Sequence, residues 1–109
     1  MNLRYILFLT VILQSFLFAN EKSEVECITL EDENSIVCKY SQKRVDYDKV
    51  VKFKWIDPNG FVSRQRDMEI PALYGSVYDY RYIFGRLKGN WKFQVIDGNN
   101  TYETTFIIK

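Results

Sequence analysis

The chain contains no histidine. That gap removes Ser-His-Asp and Cys-His catalysis, the commonest general base near neutral pH and nearly all zinc sites. The carboxylates are spread over turns and strand faces, and no feature marks two of them as a catalytic pair. A Ser–Lys dyad is the nucleophilic arrangement left, and no motif points to one. Cysteine is scarce too, with only Cys27 and Cys38, and there is no Cys-x-x-Cys pair. Charge of one sign is lacking as well: 15 Lys and Arg stand against 14 Asp and Glu. A balance this even gives no general attraction to nucleic acid or anionic lipid, so charge-driven binding must come from a local patch. The chain therefore reads as a non-catalytic protein, and neither a cofactor nor a metal is expected.

Long apolar runs are also few. The longest, Tyr5 to Phe18, is broken by Thr10, Gln14 and Ser15, and falls short of the ~20 residues of a membrane-spanning helix. Arg4 precedes it, and Ala19 ends it before the polar Asn20-Glu21-Lys22-Ser23-Glu24. A basic start, an apolar middle and a small residue at the cut are the layout of a secretory signal peptide. Residues 1–19 are thus expected to be a leader and residues 20–109 one small domain. Removing Arg4 with the leader brings the formal charge to zero. A periplasmic location follows, with secretion or an N-terminal anchor as alternatives.

In an exported chain, an even number of cysteines reads as a disulfide framework. EVECITL and SIVCKY alternate like strands, and EDEN between them has a turn's composition. If Leu30 faces Ser35 across that turn, Ile28 faces Val37 and Cys27 faces Cys38. Directly opposed residues in an antiparallel pair are within disulfide reach.

The same period of two recurs along the chain, and no stretch holds a helical period. VVKFKWI puts Val51, Phe53 and Trp55 on one side, and DPNG supplies a turn with Pro58 and Gly60. FVSRQRDM returns as a more polar strand suited to a sheet edge. VYDYRYIF sets Val77, Asp79, Arg81 and Ile83 against Tyr78, Tyr80, Tyr82 and Phe84. WKFQVI aligns Trp91, Phe93 and Val95, and TYETTFIIK aligns Tyr102, Thr104, Phe106 and Ile108. About seven short strands at turn-punctuated spacing favour an antiparallel β-sandwich.

VKFKWIDPNG, followed later by GNWKFQVID, resembles the C and F strand regions of immunoglobulin-like domains in exported bacterial proteins. The resemblance covers residues ~48–109 and implies an immunoglobulin-like sandwich without implying an activity. One departure stands out. The immunoglobulin disulfide joins strands B and F, and Phe93 occupies the place of its second cysteine.

Four features could carry function. A three-residue Pro-Asn-Gly loop would set Lys54 opposite Arg64 and Lys52 opposite Arg66. That would gather four cations on one sheet face, fit for an anionic glycan, a phosphate or an acidic partner. The same residues also read as a solvated strand face, and a one-residue slip would scatter them. Tyr78, Tyr80 and Tyr82 would suit protein or sugar contact if exposed; the polar Asp79 and Arg81 opposite them make the tyrosines the expected buried side. EDEN and DGNNT gather oxygen ligands, but the twelfth position of an EF-hand register starting at Asp97 is Ile108, where a glutamate is needed. Asp97-Gly98-Asn99-Asn100-Thr101 resembles the acid-x-Asn-x-Thr acceptor of bacterial asparagine-linked glycosylation, with Asn99 as acceptor, and it also makes a good hairpin turn. The expectation is a small envelope module that binds an envelope protein partner, or alternatively a glycan or anionic small molecule.

Overall fold

EVECITL and SIVCKY form the first hairpin of the computed structural model, which describes residues 22–109; the expected leader lies outside them. Strand β1 (Glu24–Leu30) and strand β2 (Ser35–Ser41) are joined by a short 3₁₀ turn at Glu31–Glu33. Asn34 closes the turn at φ 54°, a left-handed conformation that asparagine tolerates better than most residues. The register is the expected one, with Leu30 opposite Ser35 and Cys27 opposite Cys38. The two sulfurs are bonded, with Cα atoms 4.1 Å apart. The bridge lies on the inward side of the hairpin, where Cys38 is fully buried beside Ile36 and Tyr40.

The remaining strands are β3 (Lys49–Ile56), β4 (Val62–Ile70), β5 (Ser76–Tyr82), β6 (Gly89–Asp97) and β7 (Asn100–Ile108). They make two antiparallel sheets, one in the order β1-β2-β5 and one in the order β4-β3-β6-β7. The protein is a seven-stranded, all-β sandwich. Between the sheets lie Ile36, Tyr40, Val51, Phe53, Trp55, Ile70, Trp91, Phe93, Val95 and Phe106. Period-two alternation delivers them: β3 and β6 each present every second residue inward, and neighbouring strands supply ring partners. Phe93 packs edge-on against Phe53 and Trp55, with ring centroids 4.9 and 5.0 Å away. Trp91 stacks on Phe106 at 6.0 Å. Such aromatic pairs add to the burial of their area. Both tryptophans are buried, as their alternation requires.

The β3–β4 hairpin departs from expectation. Pro58, Asn59 and Gly60 do form the loop: Asp57 N–H donates to the Phe61 carbonyl, and Gly60 takes φ 87°. Asp57 Oδ1 accepts the N–H groups of Asn59 and Phe61, which fixes the turn. Ile56 then pairs with Val62, but the next pair is Trp55 with Arg64. Ser63 is an extra residue, a β-bulge. Every β4 side chain beyond it changes face. Without the bulge, Met68 would sit outside and Asp67 and Glu69 would line the core. With it, Met68 and Ile70 turn inward and Asp67 comes opposite Lys52. Burying two large apolar side chains outweighs one disturbed step of an edge ladder.

Candidate functional site

The bulge separates the four cations expected on one face. Lys52 and Lys54 point out of the four-stranded sheet, opposite Asp67 and Gln65. Arg64 and Arg66 point the other way, in the direction of Trp55 and Phe53, at the open edge of the sandwich. The shared basic face is therefore corrected to two separate pairs, and only the arginine pair meets the other sheet.

There the second correction appears. Tyr78, Tyr80 and Tyr82 are 62%, 49% and 55% exposed, whereas Asp79 and Arg81 are only 4% and 7% exposed. The charged side of β5 is the buried one. The reason is the pair of tryptophans on the facing sheet. A buried indole N–H needs an acceptor. Trp91 finds the Leu87 carbonyl at 2.8 Å, and Trp55 finds Asp79 Oδ2 at 3.0 Å. The guanidinium of Arg81 lies 5.7 Å from the Trp55 ring centre and 6.0 Å from that of Trp91. Both are within range of a cation–π attraction.

Asp79 is the hub of the edge. Its Oδ1 accepts Arg66 Nη1 at 2.9 Å and its own neighbour's amide, Tyr80 N–H, at 2.9 Å. Arg64 Nη1 stands 3.6 Å from Oδ2 and donates to the Tyr80 carbonyl at 3.3 Å. Arg81 donates from Nη1 to Ser63 Oγ at 2.9 Å, so the bulge residue anchors it. Its buried Nε has no partner. Arg86, in the loop after β5, donates from Nε to the Tyr82 carbonyl at 3.2 Å. Burial first, and then the charges of Arg86 and Arg64, lower the Arg81 pKa to about 10. Around this edge lies a cavity of about 230 Å³, lined by the four arginines, Asp79, Tyr80 and Tyr82.

The exposed tyrosines form the outer face of the three-stranded sheet. Tyr80 pairs with Val37, and Val37 with the exposed Ile28; Tyr78 pairs with Lys39, and Lys39 with Glu26. The result is an exposed face with a tyrosine row along one margin. Leu73 adds an exposed apolar tip at φ 71°, in the loop before β5. Neither the buried Asp79–Arg81 pair nor the outward tyrosines was inferred from sequence. A signal was present: the inward Trp55 needed an acceptor for its indole N–H, and Asp79 supplies it from the facing sheet.

At the other candidate, β6 and β7 are joined by Gly98 and Asn99, with Asp97 paired to Asn100. Gly98 takes φ 61° and Asn99 is exposed, as in a two-residue hairpin with glycine first. The carboxylate of Asp97 is occupied: Oδ2 accepts the Tyr40 hydroxyl at 2.6 Å and Lys49 Nζ at 2.9 Å. Burial, then the bond to Asp97, pushes the Tyr40 phenol well above its ordinary range. Among the described residues no three acidic or cysteine side chains converge as a metal site, and no helix is long and apolar enough to cross a membrane. Comparison with family models, curated proteins and solved structures finds no match to this chain.

Proposed function

We propose that the chain is an exported, non-catalytic binding module of the cell envelope, working in the periplasm after loss of residues 1–19. The observation that carries the reading is the inversion of β5, which buries Asp79 and Arg81 and turns three tyrosines to solvent. Tyrosine joins apolar area to a hydrogen-bonding tip and is enriched at interfaces. The absence of histidine and the full use of Asp79 by its donors support a role without catalysis. An immunoglobulin-like plan is supported by β3 and β6, the strands carrying the resembling segments. They are neighbours, and Trp55 on β3 is buried, as is the tryptophan of strand C in immunoglobulin domains.

The test is affinity capture from an envelope fraction with the mature chain and with Tyr78→Ser combined with Ile28→Ser. Both positions are exposed and lie outside the arginine cavity. A partner of the wild type should be lost by the double variant. If both chains retain the same proteins, the tyrosine face is not the interface.

A second reading, a domain that binds a glycan or an anionic small molecule, is favoured by the arginine-lined cavity. A modification belongs with either. Asn99 as a glycan acceptor requires its acid, Asp97, which the folded hairpin engages through Tyr40 and Lys49. Transfer would therefore act on the exported chain before this hairpin closes. In a host with the transferase, the peptide containing Asn99 should carry added mass, and Asn99→Gln and Asp97→Ala should each remove it. An unmodified peptide from such a host would leave only a turn.

A further inference from the structure

The edge where β4 meets β5 carries more positive charge than its own residues neutralise. Four guanidiniums, Arg64, Arg66, Arg81 and Arg86, surround one carboxylate in the cavity. That carboxylate is committed to Trp55, Arg66, the Tyr80 amide and the nearby Arg64. Neither Arg81 nor Arg86 makes an ion pair with any acid among the described residues. Arg81 is the telling member. It is more than nine-tenths buried, yet its one hydrogen bond goes to a serine and its Nε has none. A buried charge normally has a partner of opposite sign; the acid whose charge favours protonated Arg81 is Asp79, which Arg64 and Arg66 already share. Protonated arginine persists here beside two further cations, and an arriving anion would relieve that crowding.

The chemistry of a further anion can be read from the lining. Guanidinium forks match the oxygens of phosphate, sulfate and carboxylate, and such charge-assisted bonds are strong. The cavity, about 230 Å³, is below the ~300–1,000 Å³ of pockets for drug-sized ligands. It fits one oxyanion and part of what bears it. Beside the arginines stand Tyr80 and Tyr82, exposed, with ring centres 5.9 Å apart and planes nearly perpendicular. Such a rim offers apolar ring faces and hydroxyls together, which suits a sugar ring more than a fatty chain or a bare ion.

We propose that the β4–β5 edge is a binding site for an anionic sugar, with its phosphate, sulfate or carboxylate held by Arg64, Arg81 and Arg86 and its ring against Tyr80 and Tyr82. The proposal rests on the ligand-binding reading above. It is separable from the protein-interface reading, because Tyr78 and Ile28 do not line the cavity.

Trp55 and Trp91 lie beneath Arg81, so an anion reaching that guanidinium should change their emission. The mature chain would be titrated with glucose 6-phosphate, inorganic phosphate, glucose and a pentaglutamate peptide, with tryptophan fluorescence and backbone amide NMR as readouts. Glucose 6-phosphate should give a saturable change, with phosphate weaker and glucose without effect. Arg86→Gln, which removes only a loop contact to the Tyr82 carbonyl, should weaken glucose 6-phosphate about tenfold, as loss of a charge-assisted bond does. Lys54→Gln deletes a cation on the opposite face of the four-stranded sheet and should leave affinity within about twofold. The proposal is overturned if glucose 6-phosphate shifts neither tryptophan emission nor the β4–β5 amides. It fails equally if Lys54→Gln weakens binding as much as Arg86→Gln, which would mean diffuse attraction. Equal affinity for free phosphate would remove the sugar, and tighter binding of pentaglutamate would make the ligand an acidic protein segment.

Discussion

Replacing Asp79 by asparagine should be among the most damaging isosteric changes available to this fold. The side chain keeps its shape but loses its charge, and one of its two oxygens becomes an N–H donor. That donor must then face either Trp55 Nε1–H, now 3.0 Å from Oδ2, or the Arg66 guanidinium, now 2.9 Å from Oδ1. One charge-assisted hydrogen bond is lost, about 1.5–3 kcal/mol. Arg81 also loses the carboxylate that offsets the charges of Arg86 and Arg64. Breaking a buried ionic arrangement by removing one member typically costs about 3–5 kcal/mol. Arg66 is half-exposed, so its arm of the network is screened and adds at most about 1 kcal/mol. The expected loss is therefore about 3 kcal/mol, out of the ~5–15 kcal/mol of a typical domain. Urea unfolding followed by tryptophan fluorescence would show it. With a slope near ~1 kcal/mol per molar for a small domain, the midpoint should fall by about 3 M. Arg66→Gln should move it by less than about 1 M on the same slope. If the two variants unfold at the same urea concentration, Asp79 is not the hub and the account of the buried β5 face is wrong.

The disulfide closes a loop with a sequence separation of 11, and replacing both cysteines by serine should cost about 3 kcal/mol without abolishing the fold. Thiol labelling of the unfolded, unreduced protein should find no free cysteine, and finding two would refute the bridge. Trp91→Ala removes a ring stacked on Phe106 beneath Arg81 and should cost about 3–5 kcal/mol; an unchanged melting temperature would place Trp91 at the surface. The pKa of Tyr40 is raised in the folded protein, so the native state prefers its neutral phenol. The resulting stability is present below the ordinary tyrosine value of 10.0 and is lost as pH rises above it. Near-ultraviolet phenolate absorbance, compared between wild type and Tyr40→Phe, should show the Tyr40 signal emerging only with alkaline unfolding; ionisation in a still-folded protein within the ordinary range would contradict this.

Much of the sandwich was legible because period-two alternation is a strong local signal. It placed Trp55, Phe93 and Phe106 in the core, and it put Cys27 opposite Cys38 without any knowledge of the third dimension. The candidate site was less legible, for two physical reasons. A β-bulge such as that at Ser63 leaves no mark in a pattern of polar residues, and its only trace was that Met68 and Ile70 fitted the core in one register alone. Local alternation also cannot price a buried charge that is answered from the other sheet. Asp79 and Arg81 looked unfit for an interior until the indole of Trp55 and the ring faces of both tryptophans were opposite them. The tyrosines were turned outward by that long-range match.

The arginines of this edge have one more consequence, for self-assembly. β5 is the last strand of its sheet, and a bare last strand is a template on which another chain can add. Its outward carbonyls at Tyr80 and Tyr82 are already taken, by Arg64 and by Arg86. The guanidiniums thus stand where the next strand's amides would go, bulky and mutually repelling. Removing both would uncover two acceptors beside an aromatic row, and the expected product is a polymer grown strand by strand from this margin. Concentration-dependent light scattering of Arg64→Ala combined with Arg86→Ala, compared with the wild type, would show whether these side chains keep the molecules apart.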